Sequence, residues 1–197
     1  MSKISLTPNA SGTGNFTIAS PNSNTDRTLT LPDNTGTILT SASNTNFPAG
    51  SVIQVVSTTK TDTFSTTSTT FTDVTGLSVT ITPTSSSNQI LVLVGVTGTG
   101  TDVANAGATG YVLVRGSTII AQSSGGNSQF TGQLSNRNLG GTAHTLNHAI
   151  SHLDSPATTS ATTYKIQGRA TAGTFYVNRD PDDNRSVSSI TVMEIKV

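Results

Sequence analysis

The sequence has no cysteine, no tryptophan and a single glutamate, Glu194, in 197 residues. Charged residues make up 10% of it, where about 25% is usual. Without cysteine there are no disulfide staples and no thiolate metal sites. One glutamate and four lysines cannot supply the charged outer faces of many helices, which draw on Ala, Leu, Glu, Lys and Arg. The ten basic and ten acidic residues cancel, and the basic ones never form a run of three. The basic patch or stripe that binds a nucleic-acid backbone is therefore missing. No stretch approaches the roughly 20 apolar residues of a membrane-spanning helix; the longest apolar run, residues 90–96, has the length of a strand. The opening Met1-Ser-Lys-Ile-Ser-Leu-Thr-Pro8 has no apolar signal-peptide core, so synthesis in a cytoplasm is expected, with no membrane insertion, no nucleic-acid partner and no cofactor.

What is abundant is hydroxyl: 38 Thr and 26 Ser, with 18 Gly and 15 Asn. Ser, Asn and Gly disfavour helix, through local hydrogen bonds or backbone entropy, whereas Thr and Val suit a pleated surface. The expectation is an all-β protein.

Two regions differ. Residues 1–46 carry few large apolar residues, in short pieces such as Phe16-Thr-Ile18 and Leu29-Thr-Leu31, with Ile38 and Leu39 after the turn at Asn34-Thr-Gly36. So short a polar segment cannot bury its own core. Phe16, Ile18, Leu29, Leu31 and Ile38 must then pack against other chains, either in a trimeric β-rich stalk or along a neighbouring protein. Ser41-Ala-Ser-Asn-Thr-Asn46 reads as a linker.

Residues 47–197 read as an antiparallel β-sandwich. Strands are expected at Val52–Ser57, Thr63–Val74, Leu77–Ile81, Ile90–Val94, Tyr111–Val114, Thr118–Gln122, Thr145–Leu153, Thr162–Arg169, Thr174–Asn178 and Val187–Val197. Leu77, Val79 and Ile81 alternate with polar residues, the mark of a half-buried strand. Ile90–Val94 is apolar throughout, which calls for cover on both faces: the core on one side, a neighbouring subunit on the other. Three long connections, Thr97–Gly110, Ser123–Ala143 and Arg179–Ser186, are long enough to carry function.

Catalytic constellations are absent. There is no Gly-x-Ser-x-Gly elbow, and one Glu with nine Asp, most beside turns, offers little for the paired carboxylates of a glycosidase. Two polar clusters are candidate metal sites. His144, His148 and His152 share one face of a strand and could form imidazole rings at a three-fold axis; the simpler reading is a polar strand face. Asp180, Asp182 and Asn184 alternate as oxygen ligands for Ca²⁺ would; the simpler reading is a hairpin whose Asp residues, Asp183 included, pair with Arg179 and Arg185. The best candidate recognition surface is the long loop with Asn127, Gln129, Phe130, Gln133, Asn136, Arg137 and Asn138, an aromatic among planar polar side chains.

The segment Asp26-Arg-Thr-Leu-Thr-Leu-Pro-Asp-Asn-Thr-Gly-Thr-Ile38 resembles an element recurrent in tail fibres and other appendages of tailed bacteriophages. Phe71–Pro83, Leu153–Tyr164 and Ser188–Ile195 resemble the distal domain of such proteins, which is similar to the trimeric jelly rolls of the C1q and tumour-necrosis-factor type. The resemblance implies a non-enzymatic virion protein. It would be a homotrimeric fibre, attached to other virion proteins through residues 1–46, with a knob of residues 47–197 that binds a host cell-surface glycan or protein. The alternatives are a capsid decoration or head-fibre protein and, third, a surface-polysaccharide depolymerase acting through Asp180, Asp182 or Asp183.

Overall fold

The computed structural model describes residues 47–101, 108–126, 128–134, 145–180 and 183–197, with residues 7, 10–15, 17–19, 22–26, 28, 30, 33 and 35 of the N-terminal part. The chain divides into two units, Met1–Thr37 and Ile38–Val197. In the first, none of the described residues lies in a strand. Ile18 is 76% exposed, and a short Ser23–Thr25 turn is closed by a hydrogen bond of 3.2 Å. Thr17, Ile18 and Thr30, the described residues of the two apolar pieces, lie in no strand: so apolar-poor a segment has nothing of its own to pair with. Phe16, Leu29, Leu31 and Ile38 lie outside the described residues.

The second unit is all-β among its described residues, two antiparallel sheets face to face. No helix there is long and apolar enough to cross a membrane. Its strands are β1 (Val52–Lys60), β2 (Phe64–Thr66), β3 (Thr72–Ile81), β4 (Gln89–Thr101), β5 (Thr109–Arg115), β6 (Thr118–Ala121), β7 (Gly132–Gln133), β8 (Leu146–Asp154), β9 (Thr162–Ala170), β10 (Thr174–Val177) and β11 (Ser188–Ile195). One sheet runs β1-β11-β4-β10-β2 with β8 on the other edge of β4; the facing sheet runs β3-β9-β5-β6, with β7 also on β5. Alternate residues of each strand fill the space between, among them Leu77, Ile81, Val92, Leu113, Ile166 and Phe175, all at most 2% exposed.

Two strands depart from expectation for local reasons. The single strand expected over Thr63–Val74 is split. Ser68 Oγ donates to Thr70 O at 2.7 Å and accepts from Thr70 N at 3.2 Å, and Thr66 Oγ1 accepts from Ser68 N at 3.1 Å. These hydroxyls draw the backbone away from a ladder, so β2 ends in one sheet and β3 begins in the other. The second half then joins Leu77–Ile81 in one strand, with a bulge between Asp73 and Ser78 where Gly76 takes φ +80°, a conformation open to glycine.

Register sets the faces. On the outer side of the first sheet, Val55, Met193, Leu91 and Leu153 form one row across β1, β11, β4 and β8. Val55 is 54% and Leu153 50% exposed. Beside this row a hollow opens over Gly95, floored by Leu93, Ala149, Ser151 and Ser189. The central run is therefore covered on one face within the chain: Ile90, Val92 and Val94 are buried, and Leu91 and Leu93 only partly so.

The sandwich has two distinguishable ends. At the near end the chain enters β1 beside its own C-terminus, with Gly50 N on Lys196 O at 2.8 Å and Lys196 N on Ser51 O at 2.9 Å. The start of β4 and the last residues of β5, β8 and β11 lie at this end. At the far end are the last residues of β4 and β9 and the first of β5, β8 and β10. The long connections after Thr101 and after Leu134 leave from there.

Candidate functional site

β5 is the strand buried on both faces, every residue from Thr109 to Val114 included. Its outer face is covered by residues 122–134, the loop expected to be a recognition surface. That loop is sewn down by Ser123 N on Phe130 O (3.1 Å), Thr131 N on Tyr111 O (2.8 Å) and Leu134 N on Thr109 O (2.9 Å). Thr131 Oγ1 also accepts from Leu113 N at 2.9 Å and donates to Ala121 O. The fit depends on glycine: a Cβ on Gly110 would strike Gly132 O and the Phe130 ring. Phe130 is 6% exposed. Its expected role as an exposed platform is therefore corrected: it is the loop's anchor, buried because Gly110 leaves room for the ring. Gln129 is partly buried and accepts from Gln122 Nε2 at 3.2 Å through its backbone oxygen. Gln133 is exposed, opposite Gly110. Asn127, Asn136, Arg137 and Asn138 lie outside the described residues.

Beside this loop stands an arginine that nothing in the residue spacing singles out. Arg169 closes the outward row Lys165, Gln167, Arg169 of β9 and lies across from Gly110. Its guanidinium carbon is 4.6 Å from the Phe71 ring centroid and 5.1 Å from that of Phe130. The two rings meet edge to face, 6.0 Å apart at 88°. Arg169 Nε is buried with no hydrogen-bond partner. A buried N–H without a partner costs about 1–3 kcal/mol, and each cation–π contact returns about 0.5–2 kcal/mol. The stack is what fixes the guanidinium. The period-two polar face of β9 was the available signal; that both aromatics converge on Arg169 depends on long-range register.

Of the histidines, His148 and His152 do share one face of β8, opposite Val96 and Val92. That face turns toward the other sheet: His148 Nδ1 meets Tyr111 Oη at 2.5 Å, and burial raises the Tyr111 hydroxyl above its ordinary range. His144 lies outside the described residues. Among the described residues no three His, Asp or Glu side chains converge to hold a metal ion. In the Asp180 cluster, Asp180 is 6% exposed and its carboxylate accepts from Asn184 N and Nδ2 at 2.9 and 2.8 Å. Asp183 lies 2.8 Å from Arg185 and 3.7 Å from Arg179, and Arg179 bridges to Arg185 as in a hairpin. This is the pairing of Asp with flanking Arg that the spacing suggested. Of the candidate Ca²⁺ ligands, Asn184 donates to Asp180, and Asp182 lies outside the described residues.

The near end holds the most heavily bonded carboxylates. Glu194 is fully buried and accepts from Gln54 Nε2 (2.6 Å), Asn88 Nδ2 (2.6 Å), Thr84 N (2.7 Å) and Thr84 Oγ1 (2.8 Å). Burial pushes its pKa up, but the donors from Asn88, Gln54 and Thr84 outweigh burial and hold it below the ordinary range. Asp154, 8% exposed, accepts from Arg115 Nη1 at 2.8 Å and from Tyr164 Oη at 2.7 Å.

No protein-family model matches the chain, and no curated protein matches it significantly.

Proposed function

We propose that the chain is a non-enzymatic structural protein of a tailed-phage virion, a homotrimeric fibre whose sandwich is a knob that attaches to a host cell surface. The observation that carries this reading is the polarity of the sandwich. The chain enters at the near end, beside the Glu194 and Asp154 clusters, whereas the long connections leave from the far end, where a knob would meet its target. Strand order supports a jelly-roll reading: leaving aside the short β2, β7 and β10, β1-β11-β4-β8 face β3-β9-β5-β6, an arrangement that fits two Greek keys.

The trimer rests on the outer face of the first sheet. An apolar row of Val55, Met193, Leu91 and Leu153 in the middle of a sheet is a surface that a soluble monomer rarely leaves open. Gly95 adds to it: a Cβ there would meet only Ser189 Oγ at 3.8 Å, so its own chain does not require glycine, whereas a closely packed neighbour would. A weak site repeated on three chains gains avidity without new contacts.

Analytical ultracentrifugation tests the assembly. The expected mass is three times the 20.2 kDa of one chain, and a clean monomer refutes the trimer. Antibodies against the chain are expected to label fibre tips and to block adsorption. Loss of particle stability with adsorption intact would assign the chain to bracing the shell instead.

A further inference from the structure

We propose that Arg169 is a carboxylate-binding subsite for an acidic saccharide, on the outer face of the second sheet beside the far-end loop. The inference rests on the surface-attachment reading for its biological setting, but not for its chemistry.

Three observations carry it. First, five other cations of the sandwich are spoken for. Lys60 pairs with Asp62 at 2.7 Å, Arg115 with Asp154 at 2.8 Å, Lys165 with Asp73 at 2.9 Å, and Arg179 and Arg185 share Asp183. Among the described residues Arg169 has no carboxylate and no hydrogen-bond acceptor; its contacts are the two rings. Second, it is held in place. Phe71 and Phe130 fix the guanidinium plane while the residue stays partly exposed, so its terminal N–H groups form a pre-set fork of the kind that takes a carboxylate in two parallel hydrogen bonds. Third, its surroundings do not repel an anion. The nearest acidic group along the face, Asp73, has its charge matched by Lys165 at 2.9 Å and accepts from Gln167 at 2.7 Å.

The saccharide is favoured over an acidic peptide by what borders the fork. Gln167, whose Nε2 donates to Asp73 at 2.7 Å, is on the same face an amide side chain of the kind that bonds to hydroxyls. The adjoining strand edge of β5 is already occupied by β7 and β9, so no backbone is offered for strand addition. A single fork implies weak binding, in the millimolar range typical of one charged contact and adequate only when repeated.

The test is an NMR titration of the full chain, following the buried Arg169 Nε–H resonance and, in variants at this position as in the wild type, the backbone amides of Gly110 and Gln167 beside it. The probes are a short oligogalacturonate, its methyl ester, and a glutamate-rich peptide. Oligogalacturonate is expected to shift these resonances, less so as salt rises, and the methyl ester is not. Arg169→Lys keeps the charge without the fork and is expected to weaken binding about ten-fold; Arg169→Gln is expected to abolish it. The site is overturned if oligogalacturonate leaves the resonances unmoved, if the ester or the peptide binds as well, or if Arg169→Gln with an unchanged thermal midpoint still binds. Saccharide binding together with undisturbed adsorption would sink the attachment reading and leave the site standing.

Discussion

At the near end of the sandwich Glu194 gathers four hydrogen bonds from β1 and the β3–β4 connection, and Asp154 joins Arg115 of β5 to Tyr164 of β9. At the far end the strands close through backbone instead. A Cβ on Gly100 would collide with Thr109 Oγ1 and Leu134 O, one on Gly98 with Tyr176 O, and one on Gly168 with the Phe175 ring. Two heavily bonded carboxylates thus tie together the end where the chain enters β1, and close glycine contacts the end where its long connections leave. Charge satisfaction tolerates loops of fixed length around a buried acceptor.

The largest effect is expected from breaking the backbone rule. Gly100→Ala places a methyl group where Thr109 and Leu134 already lie, and neither can retreat without moving β5 or its covering loop. Overpacking of this kind costs about 3 kcal/mol. Urea unfolding should show it as a fall in midpoint with an unchanged slope. A near-neutral result would mean that the far end yields easily, and the contrast between the ends would lose its basis.

A smaller and pH-dependent effect is expected at the near end. The Glu194 pKa is lower folded than unfolded, so its contribution is present above the unfolded value and is lost as pH falls through the folded one. Glu194→Gln cannot accept from all four donors and should cost about 2 kcal/mol at neutral pH. The gap between wild type and variant should then narrow on acidification, as wild-type Glu194 takes up a proton and forfeits what the variant has already lost. Thermal midpoints measured from pH 7 down to acid would check this; a constant gap would place the stabilisation elsewhere.

Much of the sandwich was legible because period-two alternation and its exceptions report burial directly: Leu77, Val79 and Ile81 fall inward as their spacing requires, and the fully apolar 90–94 run sits in the centre of its sheet. Alternation failed where a partner distant in sequence decides the outcome. Phe130 looks like a platform in a polar loop until Gly110 is seen to leave it a slot. Thr63–Val74 looks continuous because the hydroxyl contacts of Ser68 and Thr70 are invisible to propensity. The clusters read as candidate sites were conspicuous because like residues recur at fixed spacing. Arg169 was not, since what distinguishes it is that Asp73, the nearest acidic group on its face, goes to Lys165, and this follows only from the register of β3 with β9.

The smallest effect concerns the hairpin between β10 and β11, in the far half of the first sheet, where charge and backbone geometry can be separated at one residue. Asp183 pairs with Arg185 and Arg179 while 56% exposed, and it holds φ at +67°. Exposed ion pairs are worth only about 0–1 kcal/mol, and a non-glycine residue in the left-handed region carries strain of about 1 kcal/mol, which Asp bears better than Ala. Asp183→Ala loses the pairs and worsens the strain, so it should destabilise by about 1 kcal/mol. Asp183→Gly loses the same pairs but relieves the strain, and should stay within about 0.5 kcal/mol of wild type. If backbone geometry governs this half of the molecule, the glycine variant must be the more stable of the two by chemical denaturation. Equal losses would mean that the ion pairs outweigh the backbone strain, and the hairpin would then belong physically with the near end.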